Sequence, residues 1–312
     1  MDGILNINKP DGKTSFSIVA MVKKLSGASR VGHAGTLDPS ATGVLPVCLG
    51  QGTRVIEFLM ETSKTYLAQV ELGKATDTYD ATGKTTQQGD YSGISLERLK
   101  SALSSFRGSI QQVPPMYSAV KHHGQPLYEL ARAGIDVERK SRPAEIYRLE
   151  LIDWQPPVAI VEVECSKGTY IRSLANDLGQ ALGCGANLKK LIRLKYGPFD
   201  VKNALTSHQL EHAFQFGYWQ HFLYPIDTIL LHWPAILVDD DTFQAISNGQ
   251  PVAFKEFSNN RKTASPNRSI STQPPNKEKC RAYTAAGHFL GILHYDPVKE
   301  QWQPDKVFLS RV

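Results

Sequence analysis

The stretch RVGHAGTLDPSATGVLPVCLG, residues 30–50, carries one aspartate, Asp38, set directly against Pro39 in a glycine-rich loop between apolar segments. Gly32 and Gly35 permit backbone conformations and close approaches that a side chain would block. Pro39 biases Asp38 towards extended geometry by sterics alone. A carboxylate presented in this way can act as nucleophile, general base or metal ligand. It can equally be an Asx turn that only satisfies its own backbone. The loop taken alone leaves these readings open.

Other chemistries lack their residues. The four cysteines, Cys48, Cys165, Cys184 and Cys280, are far apart with no C-x-x-C pair, and the nine histidines show no H-E-x-x-H spacing, so neither a disulfide framework nor a metal site is expected. The opening MDGILNINKPDGK has no apolar leader core, and no run approaches the roughly 18 apolar residues of a membrane span. A cytoplasmic protein with no membrane partner is the expectation. The net charge of +5 is concentrated: seven basic residues against two acidic ones between Lys255 and Arg281 account for all of it. Basicity therefore says little about the rest of the chain, and local clusters matter more.

Length suits one large domain and a small one, at 312 residues and 41% hydrophobic. Thr14 and Ser15 are helix N-caps, followed at helical spacing by Ile18, Val19, Val22 and Leu25 until Gly27. KTYLAQVELG puts Tyr66, Ala68, Val70 and Leu72 on one face at period two, a strand. Ser95 opens a helix bearing Leu96, Leu99, Leu103 and Phe106. Residues 113–145 mix aromatic, histidine and basic side chains between prolines and read as an excursion from the core. VAIVEVEC is a strand, GTYIR a tight junction, and Ile171, Leu174, Ala175, Leu178 and Leu182 a helix, placing Tyr170 and Arg172 at its N-terminus. Beyond residue 231 come short strands with a helical piece between Asp241 and Asn248, interrupted by the polar stretch 258–279, which is expected to be disordered. The pattern is α+β.

INKPDGKTS, the loop GHAGTLDP, KTYLAQVELGKATDTYDATG, VPPMYSAVKHHGQPLYELARAGIDVERK and KGTYIRSLANDLGQALGCGANLKKLIRL together resemble, in unbroken order from Gly3 to Asp227, the TruB family of tRNA pseudouridine synthases. The resemblance implies a pseudouridine synthase fold: a mixed, largely antiparallel sheet flanked by helices over 1–231, then a small β-rich PUA-like RNA-binding domain over 232–312. It implies an isomerase that flips uridine-55 out of the T-loop of tRNA, with Asp38 as nucleophile and no cofactor. Arg172 matches the family arginine beside that aspartate, Tyr66 the tyrosine that stacks on the base, and Tyr170 and Leu191 the pocket lining. His33 matches the family's flipping aid, and 113–145 its thumb loop, studded here with Lys121, Arg132, Arg139, Lys140 and Arg142. RNA phosphate contacts are expected from the basic run Lys189, Lys190, Arg193 and Lys195, and from Lys9, whose motif is also read as support for the loop. The expected partner is the tRNA T-arm, bound by a monomer without metal. Two competing readings are an RNA-folding protein without catalysis and a guide-RNA-directed synthase.

Overall fold

The computed structural model describes residues 1–253 and 279–309. The expected disordered stretch 258–279 falls outside them except for its last residue. The chain divides into two compact units, Gly3–Tyr224 and Pro225 onward, ahead of the boundary expected at residue 231.

The first unit is built on one ten-stranded sheet. Its strands are β1 (Gly3–Lys9), β2 (Val31–His33), β3 (Thr42–Leu49), β4 (Lys64–Leu72), β5 (Gly108–Gln112), β6 (Arg142–Gln155), β7 (Val158–Cys165), β8 (Ala186–Tyr196), β9 (Phe199–Asp200) and β10 (Leu223–Tyr224). The main path runs β10-β1-β3-β8-β4-β7-β6-β5, with β2 paired to β3 and β9 to β8. Every pairing is antiparallel except β3 with β8, which meet in parallel only at Ile192 with Thr42 and Arg193 with Gly43. The expected mixed, largely antiparallel sheet is therefore observed, and its single parallel seam lies in the middle. At Gly43 the backbone takes φ +100°, and a Cβ there would run into the Arg193 backbone, so only glycine lets the two strands close.

Strand β4 alternates as the sequence predicts. Tyr66, Ala68, Val70 and Leu72 are buried on one face. That face joins Val161 and Val163 of β7 and the helix α4 (Ile171–Leu182) in the larger core cluster, with Leu174, Ala175, Leu178 and Leu182 as the helix's contribution. A second cluster packs α1 (Ser15–Ser26) through Ile18, Val19 and Val22 onto Leu5, Ile7 and Val47 on the other half of the sheet. Thr14 caps α1 by accepting from the Ser17 amide, and Gly27 ends it at φ +64°. Helix α2 (Leu96–Ser104) is shorter than its apolar spacing predicts: Leu99 and Leu103 are buried, Leu96 is exposed, and Phe106 lies past its end.

Residues 113–141 do leave the sheet, between β5 and β6, yet they have a core of their own. Met116 packs with Leu127 and Leu130 of a short helix, α3 (Leu127–Arg132). The second unit holds a four-stranded sheet in the order β11 (Ala235–Val238), β12 (Lys279–Thr284), β13 (Phe289–Asp296), β14 (Gln301–Val307). Its helix α6 (Asp240–Ser247) lies between β11 and β12 in the chain and follows α5 (Ser207–Gln215) of the first unit. Ile236, Ile246, Leu293 and Trp302 fill its core. Among the described residues no helix is long and apolar enough to cross a membrane.

Candidate active site

The loop joining β2 to β3 carries Asp38, and it is pinned on both sides of that residue. Ser15, at the start of α1, accepts a hydrogen bond from the Leu37 amide (2.9 Å) and donates one to the Leu37 carbonyl (3.1 Å). The Lys9 ammonium donates to the carbonyls of Pro10 (2.9 Å), Lys13 (2.6 Å) and Pro39 (2.9 Å). The Gly12 amide reaches the same Pro39 oxygen at 3.0 Å. The NKPDGKTS segment is thus the clamp of the GHAGTLDP loop. Gly35, at φ +62°, lies against Tyr196, where a Cβ would come within 2.9 Å of the ring.

Lys9 is 0% exposed and Arg193 is 1% exposed. Both were expected as phosphate contacts, and both are enclosed by the protein with their charged groups on its own carbonyls. The Arg193 guanidinium turns inward from β8, donating to the carbonyls of Val44 (2.7 Å) and Gly35 (2.9 Å), and stands 4.8 Å from the Tyr196 ring centre. It ties the base of the Asp38 loop to the central seam. Burial holds the Lys9 amine below its ordinary range, with Asp11 and Asp38 pulling the other way.

Asp38 faces Arg172, the second residue of α4. Arg172 Nε lies 2.9 Å from Asp38 Oδ2 and Nη2 donates to Oδ1 at 3.2 Å, a two-pronged pair. The arginine itself is buried, and it also donates to the Tyr117 carbonyl at 2.8 Å, while Asp80 Oδ2 stands 3.9 Å away. Burial pushes the Asp38 carboxyl above its usual range; Arg172 opposes that push, Asp80 adds to it, and Lys9 opposes it. The Asp38 side chain is still 39% exposed, so water in the cleft above it moderates the effect.

That cleft is shallow and open to solvent, and is lined by Asp38, Arg172, Asp80, Leu191, Lys189 and Lys190 among others. Tyr66 lies behind the lining, in the core. Its ring is packed in one cluster with Leu37, Ala41 and Leu191, and its register partner on β8 is Arg193. Tyr170 precedes α4 and is half-buried. Burial raises both phenols, and both feel the charge of Asp38. His33 ends β2, bonded through Nε2 to Thr36 Oγ1 at 3.1 Å, and burial together with Arg193 favours its neutral form.

Residues 23–171 match the model of the TruB family pseudouridylate synthase N-terminal domain, and residues 172–231 that of the tRNA pseudouridylate synthase B C-terminal domain. The chain is 45% identical to the tRNA pseudouridine synthase B of Dehalococcoides mccartyi over 311 residues, covering 100% of this chain and 98% of the relative. It belongs to the TruB family. The Haemophilus influenzae tRNA pseudouridine synthase B is 39% identical over 94% of this chain and 90% of its own length. Among solved structures, a chain of a Cbf5–Nop10–Gar1 complex superposes with a TM-score of 0.72 at 25% identity, covering 99% of this chain and 85% of that one. As a TruB protein the chain is an isomerase that forms pseudouridine in tRNA.

Of the residues expected from sequence, this TruB site brings together Asp38, Arg172 and Leu191 in one cleft, places Tyr66 and Tyr170 beside it, and sets Lys189 and Lys190 on its rim. Lys189 pairs with Glu71 at 2.9 Å. Three residues were missed. Asp80 enters through a turn in which it accepts from Thr78 Oγ1 (2.8 Å) and from the Thr82 amide (3.0 Å); the DATG run was its signal. Ser15 was read as a cap and instead holds Leu37. Gln112, which bonds the Tyr170 backbone, gave no signal at all. Among the described residues no cluster of His, Cys, Asp or Glu could hold a metal ion.

Proposed function

We propose that Asp38 is the nucleophile of the isomerisation, acting on uridine-55 of the tRNA T-loop after the nucleotide is flipped into the cleft. Uridine and pseudouridine are isomers: the bond from C1′ to N1 breaks, the base turns, C1′ bonds to C5, a proton leaves C5 and N1 gains one. The reaction needs no co-reactant, only an anion to hold the separated fragments and groups to orient the ring. The observation that carries the reading is the two-pronged Asp38–Arg172 pair on the cleft floor. It favours the ionised carboxylate against the burial that opposes it, and leaves part of the carboxylate's roughly four lone-pair positions free to attack.

A base stacked in RNA cannot reach this floor, and flipping it out costs a few kcal/mol. Stacking on an aromatic ring returns roughly 1–3 kcal/mol, the role assigned to Tyr66, with Tyr170 and Leu191 bounding the pocket. Neutral His33 is suited to fill the space the base vacates. Lys189 and Lys190 on the rim, and the basic residues of the 113–141 excursion as a thumb over the T-arm, would position phosphates. The second unit is read as a PUA-like RNA-binding domain, and the enzyme as a monomer. Asp38→Asn tests the assignment: pseudouridine formation in tRNA should vanish while tRNA binding persists. Residual activity within tenfold of wild type would remove Asp38 from the role.

A further inference from the structure

The N-terminus of α4 is unusual in what holds it. Tyr170 is the N-cap residue, and no side chain caps the helix there. What fixes it instead is Gln112, the last residue of the edge strand β5, whose side chain reaches across 58 positions of sequence. Its Nε2 donates to the Tyr170 carbonyl at 3.2 Å, and its Oε1 accepts from the Tyr170 amide at 3.0 Å. The carboxamide is thus a two-way clip on the backbone of one residue, Tyr170, directly ahead of Ile171 and Arg172. At 2% exposure the clip is shielded from water. Ser173 adds a bond to the Val113 carbonyl at 2.8 Å, so the first turn of α4 is laced to the strand end at successive residues.

We propose that Gln112 is a positioning residue for the reaction: by clipping the backbone of Tyr170 it sets the direction from which Arg172 meets Asp38 and the angle at which Tyr170 bounds the pocket. The inference rests on the reading of Asp38 and Arg172 given above. Its chemistry is specific to a carboxamide. A donor and an acceptor on one planar group must face a carbonyl and an amide of one backbone residue, and neither a carboxylate nor an apolar side chain supplies both. The tolerance is small, because displacing a catalytic constellation by about 1 Å can cost on the order of 10²-fold in rate.

Two substitutions test it. Gln112→Met keeps the length and apolar bulk and removes both bonds; kcat on tRNA should fall roughly 10–100-fold, with Kd for tRNA within twofold of wild type and the far-UV spectrum unchanged. Gln112→Glu separates positioning from packing by pH. Below its pKa the introduced carboxyl keeps an O–H for the Tyr170 carbonyl and an oxygen for the Tyr170 amide; above it the donor is lost and two acceptors face each other. The charges near Tyr170 are Arg142, which is the register partner of Gln112, Arg172 and Asp38. The ratio of Gln112→Glu activity to wild-type activity should therefore rise as pH is lowered from 8 to 5, whatever the wild-type rate does. Wild-type kcat in Gln112→Met overturns the proposal, as does a flat ratio in Gln112→Glu. If Gln112→Met fails to fold, the pH ratio decides alone. Failure here with an inactive Asp38→Asn leaves the nucleophile assignment standing; an active Asp38→Asn removes that assignment independently.

Discussion

Replacing Lys9 with methionine keeps the aliphatic stem in place and removes only the ammonium. Three carbonyls then lose its hydrogen bond, those of Pro10, Lys13 and Pro39, of which Pro39 keeps the bond from the Gly12 amide. A hydrogen bond from a charged donor contributes roughly 1.5–3 kcal/mol net, so three would suggest a large loss. Two corrections reduce it. Lys13 and Pro39 are exposed residues whose carbonyls can turn to water, and burial of the ammonium already costs free energy, as its depressed pKa records. A net loss of about 2–4 kcal/mol follows, which is roughly 5–15 °C in Tm for a unit of this size. Because Pro39 is the residue after Asp38, kcat should fall further than the folded fraction explains. Thermal unfolding, single-turnover pseudouridine formation and tRNA binding across a salt series measure the three consequences. If Lys9→Met melts like wild type, turns over normally and instead loses tRNA affinity with a salt slope reduced by about one, the ammonium is a phosphate contact and the clamp reasoning is wrong.

Two further outcomes follow from the same site. Burial raises the Asp38 carboxyl above 3.8, so the native state holds a proton that the unfolded state has already released; that contribution to stability is present below the unfolded pKa and is lost as pH rises through the folded one. Asp38→Asn should therefore melt higher than wild type at pH 7, with the gap closing as pH falls towards 4, while the wild-type rate declines as Asp38 protonates; a lower Tm for the variant at pH 7 contradicts the sign. Gly43→Ala sets a side chain at φ +100° against the Arg193 backbone and should cost more than about 3 kcal/mol, read as a loss of cooperative unfolding at the wild-type Tm.

How far the sequence could carry these conclusions depended on distance along the chain. Helix α1 and strand β4 were legible because their signals are local: a cap, a glycine stop, a period of two. Strand β8 was not, because its register shifts between Leu188 and Lys190, which puts Lys189 and Lys190 outward in succession and breaks the alternation. Read without that shift, KKLIRL is a charge cluster, and Arg193 joins it as a surface residue. Its true partners, Val44 and Gly35, lie 149 and 158 positions away. The Asp38–Arg172 pair spans 134 positions and has no local signature either; resemblance to a family supplied it. Gln112 escaped both routes, since a lone glutamine at a strand end has neither pattern nor charge.

The clamp on the Asp38 loop also bears on how the chain can be cut. The stretch that matches the N-terminal family domain begins at residue 23, after both Lys9 and Ser15. A fragment started there would retain every letter of GHAGTLDP, and the aspartate within it would have nothing to hold its neighbours. Grafts of this loop onto other scaffolds must bring the first fifteen residues along, because the shape is stored in a part of the chain that does not line the cleft.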